Sequence, residues 1–258
     1  MSLYVYCLGD ELGGAAFEGL AGVGRARVRV LALGGLAAVV SEAGDDAPAV
    51  NEENLLAHNR VNAAALAVST PLPCRFGTRA AAGRLAEYVS ANGAALAAAL
   101  ARVRGRVEMS VKLMWKKEVG SRKSEVESEA GGVAEAPAGA GTAFLLKKRR
   151  EILGEEGARR RAEEVAAWLA AGVGELARET AERLSPSEPI FVRAAHLVER
   201  GRVEEYRARL RALAAGREDL RLLASGPWPP YSFSDIRSGQ QAAEGPAVGT
   251  YVSIFQRP

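Results

Sequence analysis

Arg25-Ala26-Arg27-Val28-Arg29-Val30-Leu31-Ala32-Leu33-Gly34-Gly35-Leu36-Ala37-Ala38-Val39-Val40 is the stretch on which the fold reading turns. Arg25, Arg27 and Arg29 fall on one face of an extended chain, and Ala26, Val28 and Val30 fall on the other. That alternation describes a half-buried strand with a solvated arginine face. Gly34-Gly35 is a hairpin turn signal, and Leu36–Val40 returns as an apolar strand. Working outward, Leu3–Leu8 is aromatic and β-branched enough for a strand. Gly9–Gly24 reads as a loop with one helical turn. Asp45–Val50 is a loop, and Asn51 is an N-cap with Glu52 and Glu53 in the first turn. The helix it opens runs to about Val68. Thr70–Phe76, interrupted by Pro71 and Pro73, reads as a short edge strand. The order is ferredoxin-like (β-α-β-β-α-β) with its first helix shrunk to a loop, and it is assigned to residues 1–77.

Beyond this unit, Thr78 reads as the cap of a long alanine-rich helix, Arg79–Arg102, broken softly at Asn92-Gly93. It connects the first domain, 1–77, to a second through residues 78–103. Arg104–Lys116 is a strand: Val107, Met109, Val111, Leu113 and Trp115 alternate with Glu108, Ser110, Lys112 and Met114. Residues 117–141 hold glycine, serine, glutamate and alanine with no aromatic, the composition of a flexible loop. A long helix is expected over Thr142–Leu184, its middle almost all charge. Ile190–Val198 reads as a strand, Arg202–Ala215 as a helix and Leu220–Ala224 as a strand. The second domain, 104–237, is therefore α+β and ferredoxin-like with a long helix, followed by a tail, 238–258. The fold class is α+β with two domains.

Composition narrows the function. Of 258 residues 48% are hydrophobic and 25% charged, the balance of a globular protein. Fifty are alanine, about 19%, while only 6% are aromatic, so the few large side chains mark where packing is decisive. Thirty-four basic residues against 31 acidic ones give a net charge of +3, too even for a nucleic-acid footprint. Two cysteines exclude a disulfide scaffold and a cysteine-rich metal site. The opening Met1–Leu8 reads as a strand and not as a signal peptide. No uncharged run exceeds 14 residues, short of a bilayer span. The expected address is the cytoplasm, with Cys7 and Cys74 reduced.

No catalytic constellation stands out. His58 and His196 lie far apart without a Cys/His cluster, so they read as structural or surface residues and not as metal ligands. Gly19–Gly24 is glycine-rich but lacks the lysine and helix of a phosphate cradle. The basic runs Lys147–Arg150 and Arg159–Arg161 are interleaved with glutamates at helical spacing and read as a solvated helix face. Glu125, Glu127 and Glu129 fall in the flexible stretch, where nothing fixes a catalytic geometry. No catalytic residue, metal or cofactor is assigned. The segment Ser225–Phe233 is different. Pro227, Pro229 and Pro230 fix the backbone, and Trp228, Tyr231 and Phe233 concentrate aromatic area in an aromatic-poor chain. Such a segment closes a sheet or packs a domain corner, or presents rigid aromatics to a partner; both can hold at once.

Gly226-Pro227-Trp228-Pro229-Pro230-Tyr231-Ser232-Phe233 after a strand resembles the signature of the gas vesicle accessory protein F/L family. Pro73-Cys74-Arg75-Phe76-Gly77-Thr78 is similar to the same family's Pro-x-Arg-Phe-Gly-Thr segment. Gly105–Lys112 resembles its strand entering the second domain. Ala195-His196-Leu197-Val198 resembles a strand in which the family carries tyrosine in place of His196, and His58-Asn59-Arg60-Val61 resembles part of its first helix. The resemblance implies a two-domain α+β accessory protein of gas vesicles, the gas-filled protein organelles that give buoyancy. It further implies contacts with the major shell protein and other accessory proteins, association with the vesicle, no enzymatic activity, and no nucleic-acid or lipid-membrane partner. Pro227, Trp228, Pro229, Pro230, Tyr231, Phe233, Arg75 and Phe76 are the candidate structural or partner-contact residues. The alternatives are an RNA-binding module on a ferredoxin-like sheet and a small α+β enzyme.

Overall fold

The computed structural model describes residues 2–44, 46–116 and 140–235, with the backbone alone for 140–153. The expected flexible loop, 117–141, lies outside the described residues except for its last two positions, and the expected tail, 238–258, lies wholly outside them.

The first sheet is built on β1 (Ser2–Gly9), β2 (Val28–Leu33) and β3 (Leu36–Ala43). The hairpin between β2 and β3 pairs Leu33 with Leu36. Gly34 and Gly35 adopt φ of 58° and 97°, the left-handed region that a two-residue turn of this hand demands. β1 pairs antiparallel with β3 on one side. On the other it pairs with two short strands, β4 (Leu72–Pro73) and β5 (Arg79–Ala81). The order is β2-β3-β1-β4, with β5 also on β1. Two short 3-10 turns, Gly14–Phe17 and Val23–Arg25, occupy the place of the shrunken first helix. Helix α1 (Glu52–Val68) starts at Asn51, whose side chain accepts the Asn54 amide.

β1 is buried on both faces. Tyr4 and Tyr6 point toward α1 and the 3-10 turns, where they share a cluster with Phe17, Val23, Val61 and Ala65. Leu3, Val5 and Leu8 point the other way, onto α2 (Ala82–Ala91) and α3 (Gly93–Val103). Here the structure corrects the expectation of one helix over Arg79–Arg102 capped by Thr78. Residues 79–81 pair with β1, and Thr78 instead turns its hydroxyl and amide onto the Arg75 carbonyl, at 2.7 and 3.1 Å. The likewise expected strand over Thr70–Phe76 shortens to two residues, because the following residues form that turn.

The second sheet has the order β7-β8-β6-β9 and is antiparallel throughout. Its members are β6 (Arg106–Trp115), β7 (Glu179–Leu184), β8 (Ile190–Glu199) and β9 (Leu220–Trp228). Helices α4 (Ala140–Val173) and α5 (Val203–Ala215) cover one face. Val107, Met109, Val111 and Leu113 of β6 meet Val165, Ala166, Leu169 and Val173 of α4 and Tyr206 and Leu210 of α5. The expected helix to Leu184 is corrected: α4 stops at Val173 and β7 takes residues 179–184. That extra strand completes a second β-α-β-β-α-β order. Leu220–Ala224 is also too short an expectation, since β9 continues through Trp228.

The two halves share a core. One apolar cluster runs from the first sheet through Leu85, Leu96, Ala99, Leu100 and Val103 to Ala195 and Leu197 of β8. The α2–α3 pair is the packing layer between the two sheets. Arg200 reinforces the contact by donating to the carbonyls of Leu66 and Ser69 at the end of α1, at 2.7 and 3.2 Å.

Candidate functional site

The proline-aromatic segment begins inside β9. A register shift between Glu108 and Ser110 places Trp228 opposite Glu108. Gly226 makes that crossing possible: its φ is +126°, and a Cβ there would lie 2.8 Å from the Glu108 carbonyl oxygen and 2.9 Å from Met109 Sδ. Pro227 is exposed, Trp228 is 45% exposed, and its indole donates to Ser225 Oγ at 3.2 Å. Pro229 and Pro230 are buried, and Tyr231–Phe233 forms one 3-10 turn.

That turn is pinned from three sides. The Ser232 amide and hydroxyl donate to the Glu108 carboxylate at 2.7 and 3.1 Å. Burial raises the Glu108 pKa, and these two donors oppose the rise. Arg102 of α3 donates to the Phe233 carbonyl and also pairs with Glu179 of β7 at 3.8 Å. The Phe233 ring is buried in the cluster that joins the two sheets.

Tyr231 reaches into the first half. Its hydroxyl hydrogen-bonds His58 Nε2 at 3.3 Å. Asn62 Nδ2 faces both the His58 carbonyl, at 3.2 Å, and Nε2, at 3.1 Å. His58 Nδ1 lies 2.9 Å from the Tyr4 hydroxyl. The Tyr4 oxygen accepts the Gly77 amide at 2.9 Å. Phe76 stands edge-on to His58 and Tyr4, with centroids 5.8 and 6.1 Å away. Burial lowers the His58 pKa to about 4 and raises Cys74 to about 12 and Tyr231 well above its ordinary range.

The segments singled out in the sequence therefore meet. His58 of the first helix, Phe76 of the Arg-Phe-Gly-Thr turn and Tyr231 of the proline-aromatic block form one contact group in which His58 is buried and the other two are partly buried. Glu108 holds Ser232, and Ala195 and Leu197 pack with Phe233. Arg75 differs, as an exposed residue at the turn. Trp228 and Pro227 differ likewise, on the surface. His196 points to the opposite face of β8, where Nδ1 meets the Tyr206 hydroxyl. Burial lowers its pKa to about 4.

Sequence reasoning missed the His58 hub. Its signal was present: His58 and Asn62 stand four apart on the face of α1 that carries Val61 and Ala65, and Tyr4 and Tyr6 share one face of β1. Chemically the hub is a structural network. Among the described residues neither histidine hydrogen-bonds a carboxylate, and no three metal-ligating side chains cluster. None of the described helices is long and apolar enough to cross a membrane.

Comparison with known proteins follows the same lines. The model of the family described as gas vesicle synthesis protein GvpL/GvpF matches residues 2–235. Gas vesicle protein L2 of Halobacterium salinarum is 28% identical over 253 residues, covering 90% of each chain. Gas vesicle protein L of a Streptomyces species is 30% identical, covering 90% of this chain and 92% of that one. The crystal structure of GvpF from Anabaena superposes with a TM-score of 0.71 at 20% identity, over 92% of this chain and 99% of that one. GvpF from Microcystis aeruginosa gives 0.68 at 18%, over 91% and 99%. At these identities the two structures speak for the α+β fold with two antiparallel sheets, and the matched family model speaks for descent. The chain belongs to the GvpL/GvpF family of gas vesicle synthesis proteins, a family not known for enzymes.

Proposed function

We propose that this chain is a non-enzymatic assembly factor that binds the major shell protein and other accessory proteins during gas vesicle formation. It would act in the cytoplasm at the growing vesicle, keeping apolar shell subunits from uncontrolled association. One observation supports this reading above the rest. The family's proline-aromatic block divides its side chains, with Tyr231 and Phe233 locking the two halves while Trp228 stays 45% exposed. An exposed tryptophan on a rigid, proline-flanked strand end is an anchor suited to a protein partner. We read residues 1–77 and 104–237 as the two domains, with 78–103 as the helical connection whose α2–α3 layer both domains pack against.

The RNA-binding alternative needs aromatic side chains displayed on the central strands. Tyr4 and Tyr6 lie on central strand β1, but they are 2% and 0% exposed beneath α1. Deleting the gene from its gas vesicle cluster and imaging the cells tests the proposal. Fewer, misshapen or absent vesicles are expected, with wild-type chain restoring them. Normal vesicle number and shape would sink it.

A further inference from the structure

β9 is an edge strand of its sheet, and among the described residues its outer backbone is unpaired at Leu222 and Ala224. Lys116 donates its amide to the Asp219 carbonyl at 2.9 Å, which fixes the alternation along the pair. Arg221, Leu223 and Ser225 then turn their backbone groups toward β6. Leu222, Ala224 and Gly226 turn theirs outward. The Gly226 carbonyl accepts from Arg207 at 2.7 Å, as this parity requires. Among the described residues, nothing bonds the outward amides and carbonyls of Leu222 and Ala224. Native sheets usually cover, charge or shorten such an edge.

Beside that edge, between β9 and α5, lies an open cleft of about 310 Å³. Its floor is apolar: Met109, Leu210, Ala214, Leu222 and Ala224. Arg207 and Arg211, on the same face of α5 as Leu210 and Ala214, line it as well. Arg207 is engaged by Glu204 and the Gly226 carbonyl. Arg211 is exposed and has no ion-pair partner among the described residues. A strand added to β9 would turn every second side chain into this cleft, because side chains alternate across the sheet.

We propose that the β9 edge and the α5 cleft bind an extended segment of a partner protein by strand addition. The segment presents apolar side chains to the cleft floor and an acidic side chain, two positions along, to Arg211. The open edge dictates an extended backbone, the floor dictates apolar side chains at alternate positions, and the arginine dictates an acid among them. This goes beyond the assembly role, since it fixes the geometry and chemistry of one partner contact whichever component supplies it.

The test uses the full chain and a synthetic, capped nine-residue peptide. The peptide has leucine, glutamate and leucine at alternate positions and threonine between them. Binding is followed by calorimetry, and amide exchange at Leu222 and Ala224 is followed by NMR. Both amides should exchange fast in the free chain and slow at least tenfold with peptide. Replacing glutamate by lysine, N-methylating the alternate peptide amides that face β9, or making Arg211→Glu should each weaken binding at least tenfold. Arg211 is a surface residue, so that variant should keep its circular dichroism spectrum, and the N-methylated peptide requires no variant at all. Equal binding by the lysine peptide, or binding without slowed exchange at Leu222 and Ala224, would overturn the proposal. So would slow exchange in the free chain at low concentration, which would mean that the chain covers its own edge. Slow exchange that appears only with dimers in sedimentation would mean that a second copy covers it, and would overturn the proposal too.

Discussion

Truncating Phe233 and Trp228 separately should give opposite phenotypes, although the two residues lie five positions apart in one motif. Phe233 is 3% exposed, and its ring packs in the cluster that holds the first sheet, α2–α3 and β8 together. Phe-to-Ala changes at such sites cost about 3–5 kcal/mol, the transfer term plus the cavity left behind. The Phe233 carbonyl still accepts from Arg102 in the variant, so the whole loss is packing. At about 2–4 °C per kcal/mol for a chain of this size, Phe233→Ala should melt about 6–20 °C below wild type. Trp228 is 45% exposed and carries one side-chain hydrogen bond, to Ser225. Its truncation removes only part of the area of a buried aromatic, about 1 kcal/mol, or a melting shift of about 2–4 °C. Binding should reverse the ranking. Trp228→Ala should lose capture of the shell protein in a pull-down at a temperature where it is fully folded, and folded Phe233→Ala should keep it. Differential scanning calorimetry on both variants decides the first half. A Phe233→Ala melting point within 2 °C of wild type would refute the packing argument. A Trp228→Ala drop as large as that of Phe233→Ala would refute the division of labour.

His58 and His196 are neutral in the folded protein, their pKa lowered from 6.5 to about 4, so the unfolded chain takes up protons first as pH falls. Stability should therefore be full above about pH 6.5 and decline toward pH 4, by on the order of 3 kcal/mol for each histidine. Urea midpoints between pH 7 and 5 should fall, and His196→Gln should halve the slope; a midpoint flat across that window contradicts the burial argument. Gly226→Ala places a Cβ against the Glu108 carbonyl at a φ of +126°, costing about 2–5 kcal/mol by overpacking and backbone strain. Gly157→Ala in α4, where a Cβ meets nothing within 4 Å, should instead stabilise by about 1 kcal/mol; thermal melts of both should differ in sign.

What could be read from the chain depended on how far a side-chain pattern had room to repeat. The alternation in Arg25–Leu33 and in Arg104–Lys116 spans enough residues to reveal its period, and strands β2 and β6 form within them, although Arg25 falls in the preceding 3-10 turn, with φ of 59°, and β2 begins only at Val28. Asn51 reveals a helix start because capping is local chemistry. β7 defeats the same approach. Glu179-Thr180-Ala181-Glu182-Arg183-Leu184 is an edge strand with no residue fully buried, and its charges follow a helix whose own surface is charged. No apolar period marks the change from one to the other. Residues 79–81 become strand because Ser2, Leu3 and Tyr4 lie beside them, which is tertiary information. The extension of β9 through Pro227 is permitted because Pro227 sits in the register shift between Ser225 and Trp228, where the ladder is already interrupted. The site was legible as a set of segments, but its centre was not. His58 looked ordinary because its partners, Tyr4, Phe76 and Tyr231, are 54, 18 and 173 residues away in the chain.

The alanine content now has a structural reason in at least one layer. Helices α2 and α3 have to pack on the first sheet with one set of side chains and meet β8 with another. A helix between two sheets is squeezed from both sides, and every large side chain would push the sheets apart. Leu85, Val89, Leu96, Leu100 and Val103 supply the buried apolar area, while Ala99 on α3 and Ala195 on β8 keep the layer thin. The proline-aromatic block fastens the halves on both faces of the first sheet. Phe233 packs into the α2–α3 layer, where Arg102 holds its carbonyl and pairs with Glu179. Tyr231 reaches His58 on the opposite, α1 face, beside Tyr4 and Tyr6. The small residues of the helices keep the layer between the sheets thin, and the large ones of the block tie the halves together at that layer and around it.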